Sequence, residues 1–553
     1  MAGFLPALLF FQIAATPIPS TLPSQPEIRP WAVKPAEKCV IEGAVLKATT
    51  GDPLKKAVLT LRRAEGRNQP KSATTDAIGH FQLKDIEPGR YRLFVARNGY
   101  VDQEYAQRTP HASGAILTLT AGQHLKDISF RLIPAAIIAG HVRDEDGEPV
   151  TGAEVQALRL KYEKGQRKLI PVAEAQANDL GDYRLYGLDP GQYYVSASYV
   201  ASRFGDEAAE GGYAPVYYPR SDDPNRAAPL TLGAGDDLIG IDFTLVPLRV
   251  FNVKGRVYDG VNLRPGVHTM VGLMPRDPEV QDWGLSSTTV VQDLQGAFEL
   301  HDVKPGSYYL VASSMDDDRR EMTREALEVS DSDVQGIDLV IGPGVDVRGR
   351  LEAQGKAPLN FNILEIWLRP RDENFDFGGR TFIKSDGTFI VSNVSDDNYQ
   401  VQVWGLPEDF YLRAVRFGGG DVLESGLNVS RKQPPGLLEV LVSPNGGRID
   451  GLVLKDDEPF SGGTVTLVPE SDRRKEQRLY KSTTTDQNGQ FSVRGVVPGD
   501  YKLFAWETIE EGAYEDPEFL RPYEERGKSI HVDEGSRLNL QLQLMLATEP
   551  TPY

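Results

Sequence analysis

One cysteine, Cys39, stands in 553 residues, so no disulfide can form within the chain and no multi-cysteine metal or redox motif exists. Basic residues are in the minority: 60 Lys and Arg against 79 Asp and Glu leave a net charge of −19. A field of that sign attracts neither nucleic acid nor anionic lipid, and neither is expected as a partner. The 7 histidines (His80, His111, His124, His141, His268, His301 and His531) are scattered, with no two at metal-ligand spacing. No Gly-x-Ser-x-Gly elbow and no Gly-x-x-x-x-Gly-Lys-Ser/Thr phosphate loop occurs. Past the N-terminus no stretch is long and apolar enough to cross a membrane. These absences exclude the common enzyme classes. We expect no catalytic residue, no cofactor and no resident metal.

What is present describes a soluble, turn-rich β protein. The apolar fraction is 40% and the charged fraction 25%, with 54 Gly and 38 Pro that follow no period. Length alone suggests roughly four or five domains. At the N-terminus, FLPALLFFQIAA (residues 4–15) is too short to span a bilayer but suits a signal-peptide core, although MAGF before it carries no Lys or Arg. Ile13 and Ala15 fit the −3 and −1 positions of a cleavage site. Residues 1–15 therefore read as a signal peptide and 16–37 as a Pro-rich linker. The expected location is secreted or cell envelope.

Internal repetition dominates the rest. Five segments share one pattern: TTDAIGHFQLKDIEPGRYRLFVA (74–96), ANDLGDYRLYGLDPGQYYVSA (177–197), VQDLQGAFELHDVKPGSYYLVA (291–312), IKSDGTFIVSNVSDDNYQVQV (383–403) and TTDQNGQFSVRGVVPGDYKLFA (484–505). Each has a Gly, an aromatic two residues on, and a Tyr twelve residues after the Gly. The pairs are Gly79/Tyr91, Gly181/Tyr193, Gly296/Tyr308, Gly387/Tyr399 and Gly489/Tyr501. A strand with an early Gly precedes each (Gly43, Gly140, Gly255, Gly349, Gly451), and an alternating strand such as DISFRLI or LNLQLQL comes after it.

Elementary turn chemistry explains the spacing. The first Gly permits positive φ between two strands. Pro-Gly before the Tyr fits positions i+1 and i+2 of a type II turn, and Asp396-Asp397 in the fourth copy predicts a distorted turn. Period two puts Tyr91, Leu93 and Val95, and their equivalents, on one face toward a core. About one hundred residues with roughly seven strands is a β-sandwich. The expectation is all-β: five tandem immunoglobulin-like or prealbumin-like sandwiches at 38–134, 135–248, 249–344, 345–446 and 447–547, with a tail at 548–553. Each is expected to bury its own core.

The opening Gly-x-Val, the Asp-x-x-Gly-x-Phe turn and the Pro-Gly-x-Tyr-x-Leu strand resemble the carboxypeptidase regulatory-like domain family. They are related in look to transthyretin-like, starch-binding-like and collagen-adhesin B-type repeats. The resemblance implies a prealbumin-like sandwich and an extracellular or envelope role, with no fixed ligand. A zinc carboxypeptidase would need His-x-x-Glu and a distant second His; His531-Val532-Asp533-Glu534 has the letters, but no His comes after it. The resemblance also raises a Lys455–Asn539 isopeptide bond, for which no promoting acid is placed by motif. Acidic runs at Asp144-Glu145-Asp146-Gly147-Glu148, Asp316-Asp317-Asp318 and Ser330-Asp331-Ser332-Asp333 allow weak calcium binding, though none has twelve-residue loop spacing.

Two long connections bear aromatics: Tyr213, Tyr217 and Tyr218 in the second unit, and Trp506, Tyr514 and Tyr523 in the fifth. Trp506 stands five residues after Tyr501, on the face opposite the core-directed Tyr; Trp404 has the same offset from Tyr399. Exposed, these rings would form a ligand platform; folded back, they would pack as a small core over one end of their unit. The functional expectation is a non-catalytic exported binding or adhesion protein whose partner is a polysaccharide or a cell-surface protein. The starch-binding-like resemblance points to carbohydrate. The alternative is a structural rod or protein scaffold of the envelope.

Overall fold

The recurrent Gly and Tyr stand where the chain crosses from one sheet to another. The computed structural model describes residues 37–64, 69–110, 112–199, 213–247, 250–276, 287–315, 322–371, 378–432 and 436–546. The expected signal peptide, nearly all of the linker and the tail lie outside these residues. Strands are the main element of the described residues, joined by turns and short 3-10 segments, and the one α-helix among them is the single turn Pro517–Leu520. In the first unit, one sheet has the order His80–Ile86, Cys39–Lys47, His124–Leu132, the last two running parallel. The other has the order Lys71–Thr74, Val58–Arg63, Gly89–Ala96, with Gln103–Glu104 and Leu117–Leu119 on its far edge. The same two-sheet plan recurs along the chain, and five hydrophobic clusters fill it: Cys39–Leu132, Ala136–Leu245, Phe251–Ile341, Val347–Val442 and Ile449–Leu542.

The motif glycine has the left-handed φ the spacing predicts, between 74° and 83° in all five copies. An acidic or amide side chain three residues earlier holds the same turn in four of them. Asp76 Oδ1 accepts from the backbone N–H of Ile78 and His80, and Asn178, Asp293 and Asp486 repeat the pair. The opening glycine has a different reason to be glycine. A Cβ at Gly43, Gly140, Gly255, Gly349 or Gly451 would collide with a carbonyl oxygen of the adjacent parallel segment.

The second crossing differs from the expected type II turn. Gly89, Gly191 and Gly499 have φ of 152°, 147° and 148°, far from the ~80° of position i+2 in that turn. The chain passes from the strand His80–Ile86 in one sheet to Gly89–Ala96 in the other, and the Tyr closes the passage. Its hydroxyl donates to the carbonyl four residues back in every copy: Tyr91 to Glu87, Tyr193 to Asp189, Tyr308 to Lys304, Tyr399 to Ser395 and Tyr501 to Val497, at 2.8–3.0 Å. The fourth copy keeps this bond despite lacking Pro-Gly. There Asp396 Oδ1 accepts from the Arg431 N–H and Asp397 Oδ1 from the Asn398 N–H, so side chains hold the turn. All five rings are buried in their clusters, and burial pushes the Tyr399 and Tyr501 phenols up to about 12. They remain neutral donors across the physiological range.

Two features are not specified by the repeat pattern. Asp85, Gly187, Asp302, Asn393 and Gly495, each six residues after the motif glycine, all adopt positive φ, where the strand bulges against its neighbour. The fourth unit also diverts its connection into a hairpin, Tyr411–Phe417 with Gly420–Asp421, which pairs with Leu438–Ser443 and widens that sheet to five strands.

Each unit has its own core, and side chains also join one unit to another. Gln487 of the fifth unit accepts from the Thr118 N–H at 3.0 Å and donates to the Thr118 carbonyl at 2.8 Å, tying it to the first. Glu534 accepts from Arg413 at 2.6 Å and from Ser443 at 2.9 Å, tying it to the fourth. Tyr308→Phe should lower stability by about 1 kcal/mol through its lost hydroxyl bond. Tyr308→Ala should cost about 3–5 kcal/mol through the lost ring. Urea unfolding reads both; a Tyr308→Phe variant as stable as the parent would show that the hydroxyl contributes nothing.

Candidate functional site

The alternation along Gly499–Trp506 is as expected, but the face it assigns to Trp506 is covered. Tyr501, Leu503 and Ala505 enter the sandwich core, while Phe504 and Trp506 enter a second cluster on the other side of the same sheet. Trp506 is 0% exposed, so the outward platform expected on it is corrected. Its Nε1–H donates to Thr466 Oγ1 at 2.9 Å, its ring stacks on Phe504 at 5.6 Å, and Tyr523 meets it edge-on at 5.0 Å. Tyr514 and Tyr523 are buried in the same cluster. These three residues are brought together, as a core.

The covering segment is built by local rules. Asp516 accepts from the Glu518 N–H at 2.8 Å and Pro517 comes next, so a helical turn starts there and brings Phe519 and Leu520 to the indole. Glu524 accepts from Arg474 at 2.6 Å and Lys502 at 3.1 Å, which anchors the segment and holds its carboxyl below the usual range. The second unit completes the cover. Its hairpin Glu154–Glu163 and Gln166–Gln176 places Tyr162 edge-on against Phe519, with ring centroids 6.0 Å apart. Alternation is local and reads correctly from sequence; a cap supplied by another unit is not local and leaves no periodic signal.

The second-unit aromatics are also mostly inward. Tyr217 is buried against Leu158 and Leu169. Tyr218 is half-buried, edge-on to Phe243 at 6.4 Å, and Tyr213 is half-buried beside Tyr199 at 6.1 Å. The strand Tyr213–Tyr217 pairs with Gly191–Tyr199, which explains why its rings fold back. Expected as ligand contacts, Tyr217 and Tyr218 instead pack their own unit. They lie in clusters separate from that of Trp506.

The remaining candidates resolve into structural roles. His531 Nδ1 lies 2.6 Å from Asp500 Oδ1, and this bond raises its pKa. With Glu470 and Arg473 these groups line an open depression of about 480 Å³. Glu534 of the same His-x-x-Glu is the acceptor that joins the fourth and fifth units. Cys39 is buried, its thiol directed at the Thr120 carbonyl at 3.0 Å. Lys455 pairs with Glu507, whereas Asn539 stands opposite Asp450, five positions from Lys455 along the strand, too far for an isopeptide bond. Asp144 Oδ1 is taken by the Asp146 and Glu148 N–H groups, and Asp333 by Asn252. Asp316 to Asp318 lie outside the described residues. No group of three or more metal-binding side chains occurs among the described residues.

One aromatic face is open. In the fourth unit, Phe382, Glu365 and Trp404 stand side by side on three paired strands; one step along, Arg380, Trp367 and Gln402 form a parallel row. Trp404 is 52% exposed and Phe382 63% exposed. Trp367 is fixed by its Nε1–H to Glu365 at 2.8 Å, with Arg380 5.4 Å from its ring and Trp404 at 5.2 Å. The sequence places Trp404 at the offset of Trp506 without separating the two.

Residues 40–132 and 137–206 match the carboxypeptidase regulatory-like domain, so the chain carries two tandem copies of it. The chain is similar to serine-aspartate repeat-containing protein D of Staphylococcus aureus (strain Newman), with 24% identity over 139 residues, 23% of this chain. That match spans about a tenth of the relative's length. Among solved structures it is similar to the minor pilin GBS52 of Streptococcus agalactiae, at 13% identity, 39% of this chain, 97% of that one and a TM-score of 0.21. It is also similar to BcpA, the major pilin subunit of Bacillus cereus, at 14% identity, 55% of this chain, 99% of that one and a TM-score of 0.14.

Trp506→Ala should lower stability by about 3–5 kcal/mol, read by urea unfolding. Tyr162→Ala, in a different unit, should red-shift Trp506 emission; an unchanged spectrum would remove the second unit from the cap. For His531, the carboxylate favours the charged form. Its contribution is present below the unfolded pKa near 6.5 and is lost as pH rises through the raised folded value. NMR titration should give a midpoint above 6.5 that falls in Asp500→Asn; an unshifted midpoint in that variant would contradict the pairing.

Proposed function

We propose that this chain is a non-catalytic, exported binding or adhesion protein of the cell surface. One observation carries the reading. The recurrent residues are spent on turns, sheet crossings and cores, while the outer faces of the tyrosine-bearing sheets differ from unit to unit and that of the fourth leaves Trp404 and Phe382 exposed. A protein that keeps its scaffold constant and varies its outer faces is suited to recognition rather than chemistry. Export is read from the apolar run at residues 4–15 and the small residues behind it. The ligand class we favour is carbohydrate, with a cell-surface protein as the other candidate.

A second reading has its own support. The fifth unit contacts the first, second and fourth, which suits a scaffold that holds its units in one arrangement without a small ligand. A linear rod in which only sequential neighbours touch fits these contacts less well.

Expression with the native N-terminus should yield a mature chain beginning at Thr16 outside the cytoplasm, read by N-terminal sequencing of the secreted material. An intact Met1 there would refute cleavage. The secreted chain should bind members of a panel of polysaccharides and surface proteins, with or without calcium. Binding to none would leave the scaffold reading.

A further inference from the structure

We propose that the outer face of the fourth unit's second sheet is a binding platform for a neutral carbohydrate, with Trp404 as the stacking ring. This deepens the binding reading above and rests on it. The fourth and fifth units carry a tryptophan at the same strand position, five residues after the core Tyr, and differ in the path of the chain beyond it. After Trp506 the chain returns over the indole and seals it. After Trp404 it leaves for the other sheet, where Tyr411–Phe417 pairs with Leu438–Ser443. The hairpin removes from this face the kind of segment that covers its counterpart. Trp506 is 0% exposed and Trp404 52%.

The chemistry of the exposed rows fits a sugar. Three adjacent strands make the surface broad, and Trp404 and Trp367 lie 5.2 Å apart at an interplanar angle of 36°. Trp367 is held in place by its bond to Glu365 and by Arg380, so little ordering remains to be done on binding. Apolar ring faces alternate with hydrogen-bonding groups: Glu365 between Phe382 and Trp404, then Arg380 and Gln402 on either side of Trp367. A pyranose offers the complement, a C–H face for the indole and hydroxyls for the amide, guanidinium and carboxylate. A protein hot spot calls instead for a contiguous desolvated apolar centre, which these interleaved polar groups interrupt. The chain's charge of −19 opposes acidic glycans, which leaves neutral ones.

The test uses the full chain and three soluble neutral polysaccharides as probes: starch, xyloglucan and galactomannan, by affinity gel electrophoresis and by tryptophan quenching. At least one should retard the chain and protect a tryptophan from acrylamide. Trp404→Ala should weaken that retention at least tenfold with an unchanged melting temperature. Trp367→Ala should weaken it less, and Trp506→Phe should leave it unaltered. Retention that survives Trp404→Ala overturns this site and leaves the binding reading standing. Retention by none of the three, with binding to a surface protein, overturns the carbohydrate assignment alone. Self-association abolished by Trp404→Ala, read by sedimentation velocity, would assign the face to a second copy and overturn the sugar.

Discussion

A single hydrogen bond, from the motif tyrosine to the carbonyl four residues before it, fixes the passage between the two sheets of every unit. The passage is otherwise expensive. The chain must leave one sheet, turn, and enter the other with its backbone groups unpaired at the rim. The phenol satisfies one of those carbonyls from inside the core, and its ring fills the space beneath the turn. Because the ring is buried, its hydroxyl stays neutral and keeps donating. The fourth copy shows that the bond matters more than the turn residues. Pro-Gly is gone, Asp396 and Asp397 have replaced it, and Tyr399 still reaches Ser395.

Much of this was legible in sequence because it is local. A twelve-residue Gly–Tyr interval recurring five times specifies two crossings and the strand between them, and period two then gives the core face. The bulge position is the exception. Asp85, Gly187, Asp302, Asn393 and Gly495 differ in letter but share a tolerance for positive φ, so the signal was present as a residue class. The candidate site was legible only by half. Sequence placed Trp506 and Trp404 correctly on the outer face, but their exposure depends on where the next twenty or so residues go. That is settled by Asp516-Pro517 starting a turn in one unit and a hairpin pairing away in the other.

The outer face of the sheet that carries the motif tyrosine is thus the variable each unit manages in its own way. In the first, Arg62 lies over Phe94 at 5.4 Å. In the second, the added strand brings Tyr217 onto Leu158 and Leu169. In the third, Met274 and Val311 pack with Tyr309 and Met322, with Arg324 over Tyr309 at 4.9 Å. In the fifth, a whole segment builds a second core. A half-covered sheet is common in antiparallel proteins when its outer side is polar. The fourth unit instead leaves two indoles and a phenyl ring on that side.

That contrast divides labour between two similar units. Burial of Trp506 is spent on architecture, since the same cluster receives Tyr162 and so couples the fifth unit to the second. Further contacts bind the fifth unit to the first and the fourth, and one of them uses the very Glu534 whose spacing from His531 imitates a metal motif. A surface so engaged has little left to offer a ligand. The fourth unit is held to the fifth through Arg413 and Ser443, which belong to its other sheet, so the joint does not consume the Trp404 face. Anchorage on one sheet and exposure on the other is the geometry that lets a rigidly placed unit also present a binding surface.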